Sequence, residues 1–273
     1  MISDTIRSWH ATHPGTKRKY NEDTWVDRAD LGLWAVADGA GGHQAGEVAS
    51  GMIAEALDSL PPGLSASELL SAVRTCIAET HQKLRDEAER RGGNTMIAST
   101  LVVVLARGEH FACLWAGDSR AYLLRDGKIE QITKDHSLVQ ELIEAGTISE
   151  EEAENHPHAN IITRAVGADI DDLVLDKKSG RLQNGDRFLL CSDGLCKTVP
   201  VGQLADLLAN NDTRAASQSL IAAALSLNVT DNVTAVIIEV PRMEASGLEM
   251  SGVETSGMET SGVETSGADA PGR

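Results

Sequence analysis

With 273 residues, 41% of them hydrophobic and only 3% aromatic, the chain is long enough for one sizeable core and within the size of a single main domain. Its 24 Lys and Arg stand against 41 Asp and Glu, and a formal charge of −17 repels DNA, RNA and acidic membrane surfaces, so nucleic acid and membrane are not expected partners. Such acidity suits either plain solvation or the gathering of divalent cations on carboxylates, and composition leaves both open.

The N-terminus, MISDTIRSWHATHPGTKRKY, has no apolar h-region, and no apolar run approaches the roughly 18 residues that suggest a membrane span. Cys76, Cys113, Cys191 and Cys196 form no CxxC and no dense secreted pattern, so they read as reduced thiols of a soluble, cytoplasmic protein, which is expected to be a monomer. Strand-like runs follow at 31–37, 99–106, 110–116, 119–125, 186–191 and 233–240, rich in Val, Leu, Ile and aromatics. Asp126-Gly127 between two such runs signals a two-residue hairpin.

After the first strand come two helical patterns. Val48, Met52, Ile53, Ala56, Leu57 and Leu60 keep to one face, and Leu69, Leu70, Val73, Ile77, Leu84 and Ala88 to another, with Ser65 and Glu68 spaced as a capping box. A third helix is expected over 137–146 and a fourth over roughly 201–226. This order lacks the strict βαβ alternation of a doubly wound parallel sheet. It fits α+β, with two antiparallel sheets packed as a sandwich and helix pairs outside. The domain occupies 1–240. From 241 to 273, Ser-Gly recurs every five residues (246, 251, 256, 261 and 266), a period of neither helix nor strand, and predicts a flexible acidic tail.

Five acidic spots lie at or beside strand ends: Glu22-Asp23, Asp38-Gly39, Asp118, Asp193-Gly194 and Asp231-Asn232. Each alone has an ordinary reading as a turn or a helix cap. Strand ends on one edge aim several side chains into shared space, however, and clustered carboxylates repel unless cations neutralise them. Mg²⁺ or Mn²⁺ on oxygen ligands is the natural candidate. The glycine-rich VADGAGGHQAGE at 36–47 raises the alternatives of a phosphate cradle, a metal site or a plain turn.

The set GTKRKYNEDTW, VADGAGGHQAGE, WAGDSRAYLLRDGKIEQITKDHS, GDRFLLCSDGL and TDNVTAVII, in this order, resembles the metal-dependent protein serine/threonine phosphatases of the PP2C (PPM) family, bacterial type, over about residues 8–240. The resemblance implies a β-sandwich flanked by helix pairs, and two metal ions with a third, weaker one possible. The expected reaction is hydrolysis of phosphoserine and phosphothreonine on proteins by a metal-bridging hydroxide. It further implies that Asp38 bridges two ions and that the Gly39 carbonyl binds one of them. Asp193 and Asp231 complete the other ion, while Glu22 and Asp23 stand at the second. Arg18 grips the substrate phosphate, and Asp118 helps hold the third ion.

His43 is the candidate proton donor to the leaving group, with a metal-bound water as the alternative. A Ser/Thr kinase and its substrates, FHA-domain proteins among them, are the implied partners. A phosphatase-like module that binds a phosphoprotein or kinase with little catalysis is the rival reading, and a chain that keeps Asp38, Asp193 and Asp231 argues against it. No Cx₅R loop is present for a cysteine nucleophile.

Departures from the family pattern are DGAGGH in place of DGMGGH and IAST in place of MGTT at 97–100; neither removes a ligand. Residues 134–164 match a variable flap. There Glu150, Glu151, Glu152 and Glu154 predict a solvated helix start, and His136, His156 and His158 read as surface residues rather than ligands for a softer metal.

Overall fold

The computed structural model describes residues 6–41, 45–92, 96–154 and 156–241. The repeat tail and His43 lie outside them. The order of elements is β1 (Arg7–His13), β2 (Asp23–Arg28), β3 (Leu33–Ala40), α1 (Ala45–Asp58), α2 (Ala66–Arg90), β4 (Ala98–Ser99), β5 (Leu101–Arg107), β6 (His110–Ala116), β7 (Arg120–Arg125) and β8 (Lys128–Gln131). There follow α3 (Leu138–Glu144), α4 (Glu150–Glu154), β9 (Asp176–Arg181), β10 (Arg187–Cys191), α5 (Asp193–Cys196), α6 (Val201–Asn210), α7 (Thr213–Ser226) and β11 (Val233–Glu239).

Every strand pairing is antiparallel. One sheet runs β1-β11-β10-β7-β8, and the other runs β2-β3-β5-β6-β9 with β4 added to β3. The expected α+β sandwich is the fold observed. Its central strands read as unbroken apolar runs because both of their faces are covered. Along β3, Leu33, Ala35 and Ala37 pack with α1 and α2, while Trp34 and Val36 turn into the space between the sheets. Along β11, Val236 and Ile238 enter that same inter-sheet core, whereas Val233, Ala235 and Ile237 pack under α5, α6 and α7. Period-two alternation thus builds four layers, helix on sheet on sheet on helix.

Several elements depart from the sequence reading. The single helix expected over 201–226 is two, because Asn211 turns extended and the Asp212 side chain accepts the Ala215 N–H to cap a new start. The strands β1 and β9 carry RSWHATH and DKKSGR; both are sheet edges with half their residues toward solvent, so they lack an apolar signature. The expected capping box of α2 is present, with reciprocal bonds between Ser65 and Glu68. No helix among the described residues is long and apolar enough to cross a membrane.

Candidate active site

The acids meet because the antiparallel ladders bring the relevant strand ends to one edge of the sandwich. Asp23, the first residue of β2, sits opposite Asp38 in the β2–β3 ladder. Asp193 follows β10, Asp231 and Asn232 precede β11, and Asp118 lies in the turn between β6 and β7. A cavity of about 450 Å³ opens there, lined by Glu22, Asp38, Gly39, Asp193 and Asp231, with Arg18 and Lys197 as its cations. The 134–164 segment contributes Asn160 and Ile162 to the same wall.

The backbone at Asp38 is clamped from behind. Its carbonyl accepts from Thr100 N–H at 2.8 Å and Ser99 Oγ at 2.9 Å, and its N–H donates to Thr100 Oγ1 at 3.3 Å. The IAST stretch is therefore a polar brace under Asp38. Gly39 has no room for a side chain: a Cβ there would meet the Gly46 carbonyl oxygen at 2.2 Å, so the start of α1 presses directly on the strand end. The glycines of this stretch permit that approach. On the described residues the loop brings a carboxylate, not a row of N–H groups, to the cavity.

Two acids sit below the cavity rather than in its wall. Asp23 is buried, and its Oδ2 accepts from Ser192 Oγ and Thr234 Oγ1, each at 2.7 Å, while Oδ1 has no partner. Of the pair, Glu22 lines the cavity and Asp23 does not. Asp118 is 1% exposed and holds Lys197 Nζ at 2.6 Å through Oδ2, leaving Oδ1 unpartnered. Lys197 Nζ also reaches Asp193 Oδ2 at 3.0 Å. Arg18 Nη2 donates to Asp231 Oδ2 at 2.9 Å.

Electrostatics follow from this crowding. Burial pushes the Asp38 carboxyl well above the usual range, and the charges of Asp23, Asp193, Asp118 and Asp231 add to the push. Asp193 is raised by burial and by Asp118, with Lys197 opposing. Burial lifts Asp23 to about 7, against the lowering hydrogen bonds from Thr234 and Ser192. On Lys197 burial acts downward, but Asp193 and Asp118 outweigh it and hold the ammonium above its ordinary value. The hydrogen bond to Asp231 does the same for Arg18. Such a set lacks positive charge, and all-oxygen donors suit a hard divalent ion. Among the described residues no three His, Cys, Asp or Glu side chains converge closely enough to enclose one as they stand; Arg18 and Lys197 take up Asp231 and Asp193 instead. The fit lies in the all-oxygen donor chemistry and the cavity these acids share.

Several residues that matter here carried no distinct signal in the sequence. Asn232 accepts the Glu22 N–H at 2.8 Å and donates to the Pro14 and Tyr20 carbonyls at 3.0 Å each, tying down the loop that bears Arg18. Ser192 and Thr234 hold Asp23, and Lys197 joins two acids 75 residues apart in the chain. His136, expected at the surface, is buried; its Nδ1 accepts the Gly117 N–H at 3.1 Å and so fixes the turn that carries Asp118. His156 and His158 lie in the loop after α4 and do not line the cavity.

The protein phosphatase 2C family profile matches residues 16–232, the span that contains every one of these acids. The serine/threonine protein phosphatase PstP of Mycobacterium tuberculosis is 36% identical over 226 residues, covering 83% of this chain; the chain spans 43% of that relative's length. A solved structure of PppA, described as a key regulatory component of T6SS in Pseudomonas aeruginosa, superposes with a TM-score of 0.79 at 42% identity, covering 85% of this chain and 96% of that one. The PstP catalytic domain in complex with two manganese ions does so with a TM-score of 0.74 at 34% identity, covering 86% and 98%. Sandwich, strand-end acids and profile coincide over the same residues, and the chain belongs to the protein phosphatase 2C family.

Proposed function

We propose that the chain is a Mg²⁺- or Mn²⁺-dependent protein serine/threonine phosphatase acting on phosphoserine and phosphothreonine. The observation that carries this reading is the single cavity of about 450 Å³ lined by Glu22, Asp38, Asp193 and Asp231, with Arg18 beside it. Asp38, Asp193 and Asp231 would hold one ion. Asp38 and the Gly39 carbonyl would hold the other, with Glu22 at the cavity wall and Asp23 beneath it. When bound, two such ions lower the pKa of a water to near neutrality and neutralise phosphoryl charge.

The chain's own residues supply position. Ser99 and Thr100 fix Asp38 through its backbone, and Asn232 fixes Glu22 and the Arg18 loop. Arg18 offers a planar fork that can donate two parallel N–H bonds to phosphoryl oxygens, and to do so it exchanges Asp231 for the substrate. Asn160 and Ile162, on the variable segment, bound the side where the substrate chain would pass. His43 is the proposed proton donor to the departing Ser or Thr oxygen.

The proposed organisation is a catalytic body over 1–240 and an acidic tail over 241–273, working as a monomer in the cytoplasm against a Ser/Thr kinase whose substrates include FHA-domain proteins. Purified chain with Mn²⁺ should release phosphate from a phosphothreonine peptide, and EDTA or Asp38→Asn should stop it. Release that survives both would sink the reading.

A further inference from the structure

The third ion implied at Asp118 does not fit the side chains around it. Asp118 is 1% exposed and does not itself line the cavity, so an ion shared with the cavity would have to sit in the space between it and Asp193. That space holds the Lys197 ammonium, 2.6 Å from Asp118 Oδ2 and 3.0 Å from Asp193 Oδ2. The placement follows from local geometry: α5 is a single turn starting at Asp193, and Lys197 at its C-cap lies four residues on, directly over the acid. The turn at Gly117, pinned by His136, brings Asp118 from the other side. Asn160 Oδ1, from the variable segment, lies 3.4 Å from the same nitrogen.

We propose that Lys197 is a tethered cation that takes the place of a third metal ion between Asp118 and Asp193, leaving a site for two divalent ions. This rests on the two-ion phosphatase reading above. A single ammonium satisfies one oxygen of each acid and brings no exchangeable water, and a divalent ion beside it would meet like charge. Through Asn160 the same nitrogen joins the variable segment to the metal edge, a link that in a three-ion site would have to pass through a loosely held ion.

The test is a count of Mn²⁺ bound by the full chain, by calorimetric titration and by the electron paramagnetic resonance of free Mn²⁺. The wild type is expected to saturate at two ions. Lys197→Met, which keeps the stem and removes the charge, should shift the count from two to three. Asp118→Asn in the otherwise wild-type chain should leave it at two, and this variant keeps the idea testable if Lys197→Met does not fold. The tail acids are common to all three chains and cancel in the comparison. A third ion in the wild type, an unchanged count in Lys197→Met, or loss of an ion in Asp118→Asn each overturns the proposal. A wild-type chain that binds no Mn²⁺ overturns the two-ion reading itself, and the tethered cation with it.

Discussion

The antiparallel pair β7 and β10 ends in a buried aspartate on both sides, and the two are treated in opposite ways. At one end Asp186, 1% exposed, receives the Arg125 guanidinium on both oxygens at 2.7 and 2.6 Å and the Gln183 N–H at 2.8 Å. No lone pair that matters is wasted. At the other end Asp118 is equally buried but keeps one oxygen bare, and Asp193 beside it shares a single ammonium with it. One end is a closed ion pair that holds strands together. The other is a deficit of positive charge beside a cavity that Asp193 lines, which a fold tolerates where it binds cations.

The widest separation between the ends comes from Asp38→Asn. Loss of the ligand proposed to be shared by two ions should lower phosphatase kcat/KM on the order of 10³-fold, since such ions supply several kcal/mol of transition-state stabilisation. In EDTA the same variant should melt above the wild type, because a repelled, partly buried charge has been removed. With Mn²⁺ at 100 times its Kd the wild type should gain about 2.7 kcal/mol and the variant little. A metal-free variant less stable than wild type would erase the contrast. At the closed end, Arg125→Met leaves Asp186 buried without its partner and should cost about 3 kcal/mol in denaturant unfolding, with metal stoichiometry unchanged. Arg18→Ala should lower kcat/KM roughly 10- to 100-fold, the range of charge-assisted hydrogen bonds. Its effect on stability should be slight, because its pair with Asp231 is about half exposed on both sides.

The same contrast explains what was legible in the sequence. Central strands such as β5 and β11 bury both faces, and their apolar runs announce them. Acids stranded at the ends of such runs are conspicuous, so Asp38, Asp193 and Asp231 stood out. Edge strands β1 and β9 do not announce themselves, since their polar residues are correct for an edge. Nor do Lys197, Ser192, Thr234 or Asn232, whose importance depends on partners far along the chain, 211 residues between Thr234 and Asp23 and 218 between Asn232 and Pro14. A lysine after a strand end is ordinary until a turn from another hairpin delivers the second acid. Glu22 and Asp23 could not be told apart for a related reason: which of two adjacent residues faces the cavity is set by the β2–β3 register, and Asp23 turns inward to Ser192 and Thr234.

The smallest expected effect concerns how the open end is kept in shape. Gly117 takes φ +112, a region open to glycine, and a Cβ there would meet Thr100 Cβ at 2.5 Å, so the turn before Asp118 has one backbone course. His136 secures it twice, donating its own N–H to the Gly117 carbonyl at 2.9 Å and accepting the Gly117 N–H on Nδ1. Acceptance requires the neutral ring. Burial lowers the His136 pKa, with Arg164 acting the same way and Asp176 opposing. The unfolded chain, with an ordinary His value of about 6.5, then takes up the proton first. Stability from this ring is therefore present above about pH 6.5, is lost as pH falls through the lower folded value, and is absent below it. In His136→Asn the amide oxygen can accept the same Gly117 N–H without titrating. The wild type should lose more of its melting temperature between pH 7.5 and 5.5 than this variant, by no more than the ~1 kcal/mol of one hydrogen bond. Equal slopes would mean that the turn holds without the ring, and that Thr100 packing alone sets the place of Asp118.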